Sequence, residues 1–374
     1  MYIERLYEII NSDFYTGVPD SQLKPLCNFL MDKYGIDPKH HVIAANEGNC
    51  VSLAAGYHLA TGKIPVVYMQ NSGEGNIINP VVSLLNQKVY SIPMIFIIGW
   101  RGEPGVHDEP QHSFQGEITT KLLEDMEIEY YIIDAETLEK DITVTMIKFN
   151  DLLEQGRNVA FIVKKGALIY QKNMIYSNEA EMKREDIIRK IVSYAQEDPI
   201  ICTTGKASRE LFEIRDEKEQ SHKYDFLTVG SMGHCSSVAL GVAINKPKTK
   251  IWCIDGDGAM LMHMGAIAVI GSISPGNLIH IVINNGSHET VGGMPTVASK
   301  INLSDIAKAC GYSYAIKVST IAELNAQMDF VKNYNKLCFI EALSSIGSRK
   351  ELKRPNTSTF KNKSDFVEYL KNCE

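Results

Sequence analysis

Two successive sets of short, β-branched runs dominate this sequence, and a longer amphipathic stretch separates each run from the next. The first set reads HVIAA, IPVVYMQ, MIFIIGW, YYII and NVAFIVKKG; the second reads IICTTG, DFLTVG, KIWCID, LIHIVIN and LCFIEAL. Continuous apolar runs of this length are typical of strands buried on both faces, and their alternation with helices indicates parallel pairing. The sequence therefore predicts an α/β fold made of two parallel-sheet domains.

A polar segment without clear periodicity, LIYQKNMIYSNEAEM, lies between the two sets. We expect one domain at residues 1–170 and another at 184–374, joined by a linker over about residues 171–183. The chain of 374 residues, 44% of them hydrophobic, is long enough to give each domain a full core.

Charge and cysteine usage exclude several classes of function. A formal net charge of −7, without any block of basic residues, argues against a general nucleic-acid binder. The N-terminal stretch MYIERLYEIINSDF lacks a secretory apolar core, and the longest apolar runs are strand-length, so we expect a cytoplasmic protein without a membrane segment. The eight scattered cysteines form no CxxC pair, which favours reduced, packed thiols over a zinc site.

The stretch GDGAMLMHMGAIAVIGSISPGNLIHIVINN carries the clearest site signal. KIWCID is predicted to be a buried strand ending at Asp255, AMLMHMGAIAVIGS a crossover helix, and LIHIVIN the next parallel strand. Asp257 and Asn285 then follow two strand ends, where open α/β sheets bind ligands. Gly256 and Gly258 allow close backbone approach, and the N–H groups of the following helix favour a phosphate. Because carboxylate and amide oxygens suit magnesium, the stretch predicts a magnesium-diphosphate clamp, with an ordinary turn as the alternative.

GDG followed by an apolar helix, a strand and NN resembles the cofactor fingerprint of thiamine diphosphate-dependent enzymes. The resemblance implies that Asp257 and Asn285 ligate magnesium together with the backbone carbonyl of Ser287. Ala259 stands where many relatives have serine, which leaves diphosphate binding there to backbone groups.

A second match to this family lies in ANEGNCVSLAAGYHLATGK, which places Glu47 after the strand HVIAA and at the start of a helix. In the family this glutamate hydrogen-bonds the pyrimidine ring of the cofactor and promotes its imino tautomer. The alternative is a helix-terminal carboxylate favoured by the helix dipole.

Two further segments fit the same cofactor. In TVGSMGHCSSVALG, Met232 resembles the family's bulky residue that wedges between the two cofactor rings, although a core methionine is the alternative. In TTGKASRELF, Gly205 and Lys206 lie at a strand-to-helix turn that the resemblance places near the cofactor.

Four segments resemble the phosphonopyruvate decarboxylases, a compact two-domain branch of the family without a central third domain. These segments are TGVPDS, MQNSGEGNIINP, WRGEPGVHDEPQHSFQGEIT and GSRKELKRP. The resemblance implies decarboxylation of 3-phosphonopyruvate to phosphonoacetaldehyde in phosphonate biosynthesis, by a homo-oligomer, at least a dimer, with active sites between subunits. Sulfopyruvate decarboxylation, carboligation and a catalytically silent cofactor-binding module remain alternatives. A nicotinamide-dependent oxidoreductase is disfavoured because no GxGxxG follows a first strand.

The segment from Trp100 to Thr119 is predicted to be a long loop rich in histidine and acidic side chains. Its candidates for proton relay are His107, Asp108, Glu109 and His112. Asp20, after Pro19, is a further candidate for proton handling and substrate binding, and Arg101 is expected to bind the phosphonate in a fork. The alternatives are surface solvation for the loop residues and turn capping for Asp20.

Overall fold

The computed structural model describes residues 1–373 and divides them into two compact units, the first ending at Ile175 and the second beginning at Tyr176. This boundary falls inside the stretch that the sequence predicts as a linker. Each unit contains one six-stranded parallel sheet with helices, which confirms the predicted α/β fold with two parallel-sheet domains.

The first unit has the sheet order β2-β1-β3-β4-β6-β5, with every pair parallel. Its strands are β1 (Tyr15–Gly17), β2 (His41–Ile43), β3 (Val66–Gln70), β4 (Ile95–Gly99), β5 (Glu129–Ile133) and β6 (Val159–Val163). Its helices are α1 (Ile3–Ile10), α2 (Lys24–Tyr34), α3 (Glu47–Thr61), α4 (Glu74–Pro80), α5 (Pro110–Asp125) and α6 (Glu139–Glu154). A π-helical turn, Val81–Leu85, continues α4.

The second unit has the sheet order β13-β14-β10-β9-β7-β8, also parallel throughout, and a small antiparallel pair, β11-β12. Its strands are β7 (Ile200–Cys202), β8 (Asp225–Leu227), β9 (Ile251–Gly256), β10 (Leu278–Asn284), β11 (Ser287–His288), β12 (Met294–Pro295), β13 (Tyr314–Val318) and β14 (Cys338–Leu343). Its helices are α7 (Arg184–Ala195), α8 (Lys206–Glu217), α9 (Cys235–Asn245), α10 (Asp257–Met262), α11 (Gly265–Ile273), α12 (Leu303–Ala309), α13 (Ile321–Asn333) and α14 (Thr359–Lys371).

The central strands β4, β6 and β10 are buried along their whole length, as expected for strands covered by helices on both faces. In each sheet the strand order reverses direction beside the first strand of the unit. The crevice at such a reversal, outside the carboxyl ends of the strands, is where open α/β sheets bind ligands. None of the helices described between residues 1 and 373 is both long and apolar enough to cross a lipid bilayer.

The structure differs from the predicted local structure in four places. Two strands are not predicted from the sequence: β1, a three-residue strand ending in glycine, and β13, an edge strand of which only Val318 is buried. The predicted single crossover helix is two helices, α10 and α11, because the backbone at His263 leaves the helical region. The predicted loop at residues 100–119 ends early, since α5 begins at Pro110.

Candidate active site

The predicted magnesium ligands of the second unit lie together at the ends of two neighbouring strands. Strands β9 and β10 pair in parallel, and Asp257 and Asn285 are the first residues after them. The Asp257 carboxylate is 3% exposed and accepts a 2.5 Å hydrogen bond at Oδ2 from the Thr296 hydroxyl. Burial raises the pKa of Asp257 to about 6, although hydrogen bonds from Thr296 and from the backbone N–H groups of Gly258 and Asn285 oppose this shift.

The side-chain amide of Asn285 is fixed by hydrogen bonds at both ends. Its Nδ2 donates to Glu289 Oε2 at 3.0 Å, and its Oδ1 accepts from the backbone N–H of Ser287 at 3.0 Å. The backbone N–H of Asn285 also hydrogen-bonds the Asp257 carboxylate, so this turn lies beside Asp257, and the role of Asp257, Asn285 and Ser287 as metal ligands stays a prediction.

A glycine-rich turn packs onto the start of α10. Gly233 has φ 92°, and a Cβ there would lie 2.9 Å from the Ala259 carbonyl oxygen, so the turn requires glycine. The Met232 methyl group lies 3.4 Å from the place a Cβ on Gly258 would occupy. The structure therefore brings Met232 and the GDG segment together, as a cofactor-binding role for both requires.

Gly205 and Lys206 lie at the turn between β7 and α8 in the same unit. Gly205 has φ 91°, and a Cβ built there would be 3.5 Å from the Thr290 side chain. The Lys206 ammonium group donates to Glu289 Oε1 at 2.8 Å. Lys206 is therefore already paired with a carboxylate, a contact that the sequence does not predict.

The donor groups of Asp257, Asn285 and Ser287 fit a magnesium ion that carries a diphosphate. A carboxylate, an amide oxygen and a backbone carbonyl are hard donors, which suit magnesium better than softer metals. Within residues 1–373, no lysine or arginine forms an ion pair with the buried Asp257 carboxylate, whose raised pKa reflects this uncompensated burial. A bound divalent cation would supply the missing positive charge.

Glu47, in the first unit, begins α3 and is 4% exposed. Burial raises the pKa of its carboxyl group, while Oε2 accepts a 2.7 Å hydrogen bond from Asn76 Nδ2. A Cβ on Gly73 would lie 2.5 Å from Glu47 Cγ, so only glycine fits beside it. Asn76 and Gly73 belong to the segment MQNSGEGNIINP, but nothing in the sequence identified them as neighbours of Glu47.

Asp20 is fully buried after β1, and both of its carboxylate oxygens accept hydrogen bonds. The backbone N–H groups of Gln22 and Leu23 donate to Oδ2 at 2.8 and 3.1 Å, and Gln70 Nε2 donates to Oδ1 at 2.6 Å. Burial raises the pKa of Asp20. These contacts favour the turn-capping alternative, and the role of Asp20 in proton handling and substrate binding stays a prediction.

Arg101 and Asp108 are paired with each other, although the sequence predicts separate roles for them. Arg101 Nε donates to Asp108 Oδ2 at 2.7 Å, Nη2 donates to Oδ1, and Nη1 donates to Ser21 Oγ at 3.2 Å. The guanidinium group holds the pKa of Asp108 well below its ordinary value. A carboxyl group that stays ionised is a poor proton donor at neutral pH, so this geometry favours a loop-holding role for Asp108.

The two histidines of the predicted proton relay lie in different environments. His107 is exposed in the loop before α5, whereas His112 lies within α5, where burial lowers its pKa. His112 is thus a helix residue rather than the loop residue that the sequence predicts, and its backbone carbonyl packs against Gly102. Their part in proton transfer stays a prediction.

Both units match domains of known thiamine-dependent enzymes. The sequence model described as "Thiamine pyrophosphate enzyme, N-terminal TPP binding domain" matches residues 2–123. The one described as "Thiamine pyrophosphate enzyme, C-terminal TPP binding domain" matches residues 203–342. The second range includes Gly205, Met232, Asp257 and Asn285.

Among curated relatives, the chain is 33% identical to phosphonopyruvate decarboxylase of Streptomyces viridochromogenes over 326 residues, or 83% of this chain and 79% of that protein. Identity to phosphonopyruvate decarboxylase of Streptomyces hygroscopicus is also 33%, over 79% of this chain and 75% of that protein. Sulfopyruvate decarboxylase of Methanosarcina acetivorans is 27% identical over 92% of both chains. The chain therefore belongs to the family of thiamine diphosphate-dependent decarboxylases that includes phosphonopyruvate decarboxylase, and it is a carboxy-lyase.

Proposed function

We propose that this enzyme decarboxylates 3-phosphonopyruvate to phosphonoacetaldehyde and carbon dioxide, with thiamine diphosphate and Mg²⁺, in phosphonate biosynthesis. The observation that carries the cofactor assignment is the convergence of Asp257, Asn285 and Ser287 at the carboxyl ends of β9 and β10. The choice of substrate is supported by the two phosphonopyruvate decarboxylases, each 33% identical to this chain.

The proposed roles follow from donor chemistry and burial. Asp257, the Asn285 amide oxygen and the Ser287 carbonyl hold Mg²⁺. The residues proposed to contact the cofactor are Glu47, Gly205, Lys206, Met232, Gly256, Gly258 and Ala259. When bound, thiamine diphosphate supplies the thiazolium that accepts the electron pair left as carbon dioxide departs.

Glu47 exchanges a proton with the aminopyrimidine. Burial makes its carboxyl group a weaker acid, while the Asn76 amide fixes the orientation of Oε2. A buried carboxyl group that is a weaker acid than an exposed one is suited to holding a proton during turnover.

Arg101 is proposed to bind the phosphonate. Asp108 occupies the Nε/Nη2 edge of the guanidinium group, so the Nη1/Nη2 edge, now near Ser21, is the one available to an anion. In this arrangement Asp108 orients Arg101, and Asp20 lies next to it at the carboxyl end of β1. His107 and His112 remain the proposed proton donors to the product.

The enzyme is proposed to act as a homodimer or larger homo-oligomer. Four large apolar side chains on α3, α4 and the π-helical turn are substantially exposed: Leu53 at 41%, Leu59 at 73%, Ile78 at 38% and Val82 at 43%. A second copy that covers this face would remove the side chains from water and would lie against the helix that begins with Glu47.

Product analysis tests the proposal. Purified protein with thiamine diphosphate and Mg²⁺ is incubated with 3-phosphonopyruvate, sulfopyruvate or pyruvate, and the products are identified by NMR. We expect phosphonoacetaldehyde to form with the highest kcat/KM of the three reactions. Absence of carbon dioxide release from every 2-oxo acid would overturn the decarboxylase proposal.

Sulfopyruvate decarboxylation is the second candidate, because the Methanosarcina acetivorans relative aligns over 92% of both chains. Both substrates carry a second anionic group on the part of the molecule that the product retains, so Arg101 is suited to bind either one. A kcat/KM for sulfopyruvate above that for 3-phosphonopyruvate would replace the first proposal with this one.

A further inference from the structure

The Glu289 carboxylate joins four separate segments of the second unit. It lies in a short 3₁₀ turn after β11, and its side chain is 8% exposed. Its donors are Arg184 Nη1 at 2.8 Å, Lys206 Nζ at 2.8 Å, Asn285 Nδ2 at 3.0 Å and the Gly347 backbone N–H at 3.2 Å. These donors come from the start of α7, the start of α8, the end of β10 and the segment after β14.

The charges in this cluster are balanced. Arg184 also makes a bidentate pair with the buried Glu210 at 2.7 and 2.8 Å, so two cations, Arg184 and Lys206, face two carboxylates. Buried ion pairs with further hydrogen bonds hold their members in one geometry, because breaking one leaves an uncompensated charge. The ion pairs with Arg184 and Lys206 therefore fix the position of the Glu289 carboxylate independently of its contact with Asn285.

The contact with Glu289 determines which end of the Asn285 amide is NH₂ and which is oxygen. A carboxylate oxygen can only accept, so the end of the amide that faces Glu289 must be NH₂. The Ser287 backbone N–H can only donate, so the end that faces it must be oxygen. Both constraints give the same orientation, with Oδ1 on the side of Ser287.

We propose that Glu289 is a positioning residue for magnesium binding, which holds Asn285 with its amide oxygen turned toward the metal. This inference rests on the proposed function, because it takes Asn285 as a ligand. Outer-shell partners of metal ligands typically change metal affinity by about 10- to 100-fold when they are removed.

Two substitutions of Glu289 separate positioning from simple stabilisation. Glu289→Ala removes the acceptor for Asn285. Glu289→Gln keeps one oxygen, and three donors reach Oε2 whereas only Lys206 reaches Oε1. The glutamine oxygen should therefore occupy the Oε2 position and keep Asn285 oriented, while the partly exposed Lys206 turns toward water.

Binding of Mg²⁺ to the full-length protein with thiamine diphosphate, measured by calorimetry, provides the test. We expect Glu289→Ala to weaken Mg²⁺ binding by about 10- to 100-fold and Glu289→Gln to weaken it by less than about threefold. Glu213→Ala is the matched control, because it breaks an ion pair with Arg349 in the same unit without contacting Asn285. Thermal unfolding without ligands checks that each variant is folded.

A shorter acid keeps the proposal testable if Glu289→Ala does not fold. Glu289→Asp keeps the negative charge that faces Arg184 and Lys206 but shortens the side chain by one methylene, so a carboxylate held by those cations should no longer reach Asn285 Nδ2. We expect Glu289→Asp to fold and to weaken Mg²⁺ binding by more than about threefold.

The outcomes distinguish failure of the metal assignment from failure of the role of Glu289. A wild-type protein that binds no Mg²⁺ with thiamine diphosphate overturns the metal assignment itself. A wild-type protein that binds Mg²⁺, with binding unchanged in Glu289→Ala or, if that variant does not fold, in Glu289→Asp, overturns only the role of Glu289.

Discussion

Replacing Glu74 with glutamine should stabilise the first unit, increasingly so as pH rises. Glu74 begins α4 and is fully buried, and neither of its carboxylate oxygens has a hydrogen-bond partner. Burial alone raises its pKa to about 9. The side chain is therefore protonated at neutral pH in the folded protein, whereas in the unfolded chain it ionises near its ordinary value of 4.5.

The sign and size of the effect follow from proton linkage. Between pH 4.5 and about 9 the folded state binds one proton that the unfolded state has released, so stability falls as pH rises. The slope is about 1.4 kcal/mol per pH unit, which gives about 3 kcal/mol lost by pH 7 and about 6 kcal/mol by pH 9. The stabilising contribution is complete below pH 4.5 and is lost once pH exceeds the folded pKa.

Glutamine has nearly the shape of the neutral acid and does not titrate. Glu74→Gln should match the wild-type stability to within about 1 kcal/mol at pH 4.5, because both side chains bury unpaired polar groups. It should exceed wild type by about 3 kcal/mol at pH 7 and by more at pH 9. Glu117→Gln is the matched control, since it removes an exposed carboxylate from α5 of the same unit.

Urea unfolding at pH 5, 7 and 9, read by a brief pulse of hydrogen exchange, provides the assay. Mass spectrometry of peptides from β3 and β4 reports the first unit separately from the second, which matters because two units need not unfold together. A stability difference between Glu74→Gln and wild type that stays constant from pH 5 to 9 would refute the reasoning.

Three further predictions concern the proposed site. Asp257→Ala should abolish Mg²⁺-dependent cofactor binding in calorimetry, because it removes the charged ligand; unchanged affinity would contradict the metal assignment. Glu47→Gln should still bind cofactor but slow proton exchange at the thiazolium, followed by NMR, together with turnover, and near-normal exchange would remove Glu47 from the mechanism. Arg101→Met should lower kcat/KM for 3-phosphonopyruvate by an amount equivalent to about 2–4 kcal/mol of activation free energy, and it should lower kcat/KM for pyruvate much less. An equal loss with both substrates would assign Arg101, with Asp108, to holding the loop.

The sequence predicts those parts of the fold that depend on local patterns. Strands such as β4 and β10 are long, apolar and bounded by turn residues, so their burial and parallel pairing follow from composition alone. β1 has three residues and ends in Gly17, whose close approach to Tyr68 on β3 becomes visible only in three dimensions. Short strands of this kind are specified by their neighbours rather than by their own residues.

The same distinction applies to the candidate site. Asp257 and Asn285 could be placed together because each follows a strand and adjacent parallel strands end at the same edge. The partners of charged side chains could not be predicted in this way. Arg101 looked free to bind an anion until the structure placed Asp108 beside it, and Glu74 looked like an ordinary acidic residue at a helix start.

Glu289 shows why such partners escape sequence reasoning. Its position four residues after Asn285 marks it only as a polar residue in a turn, since three of its four donors lie at least 58 residues away along the chain. Those donors meet because α7, α8 and the segment after β14 all reach the carboxyl edge of one sheet. If Glu289 orients Asn285, the ligand geometry depends on Arg184 as well, because Arg184 donates to the same Oε2 that accepts from Asn285. A substitution at Arg184 should then weaken Mg²⁺ binding, as measured by calorimetry, more than a substitution at Lys206, which reaches only Oε1.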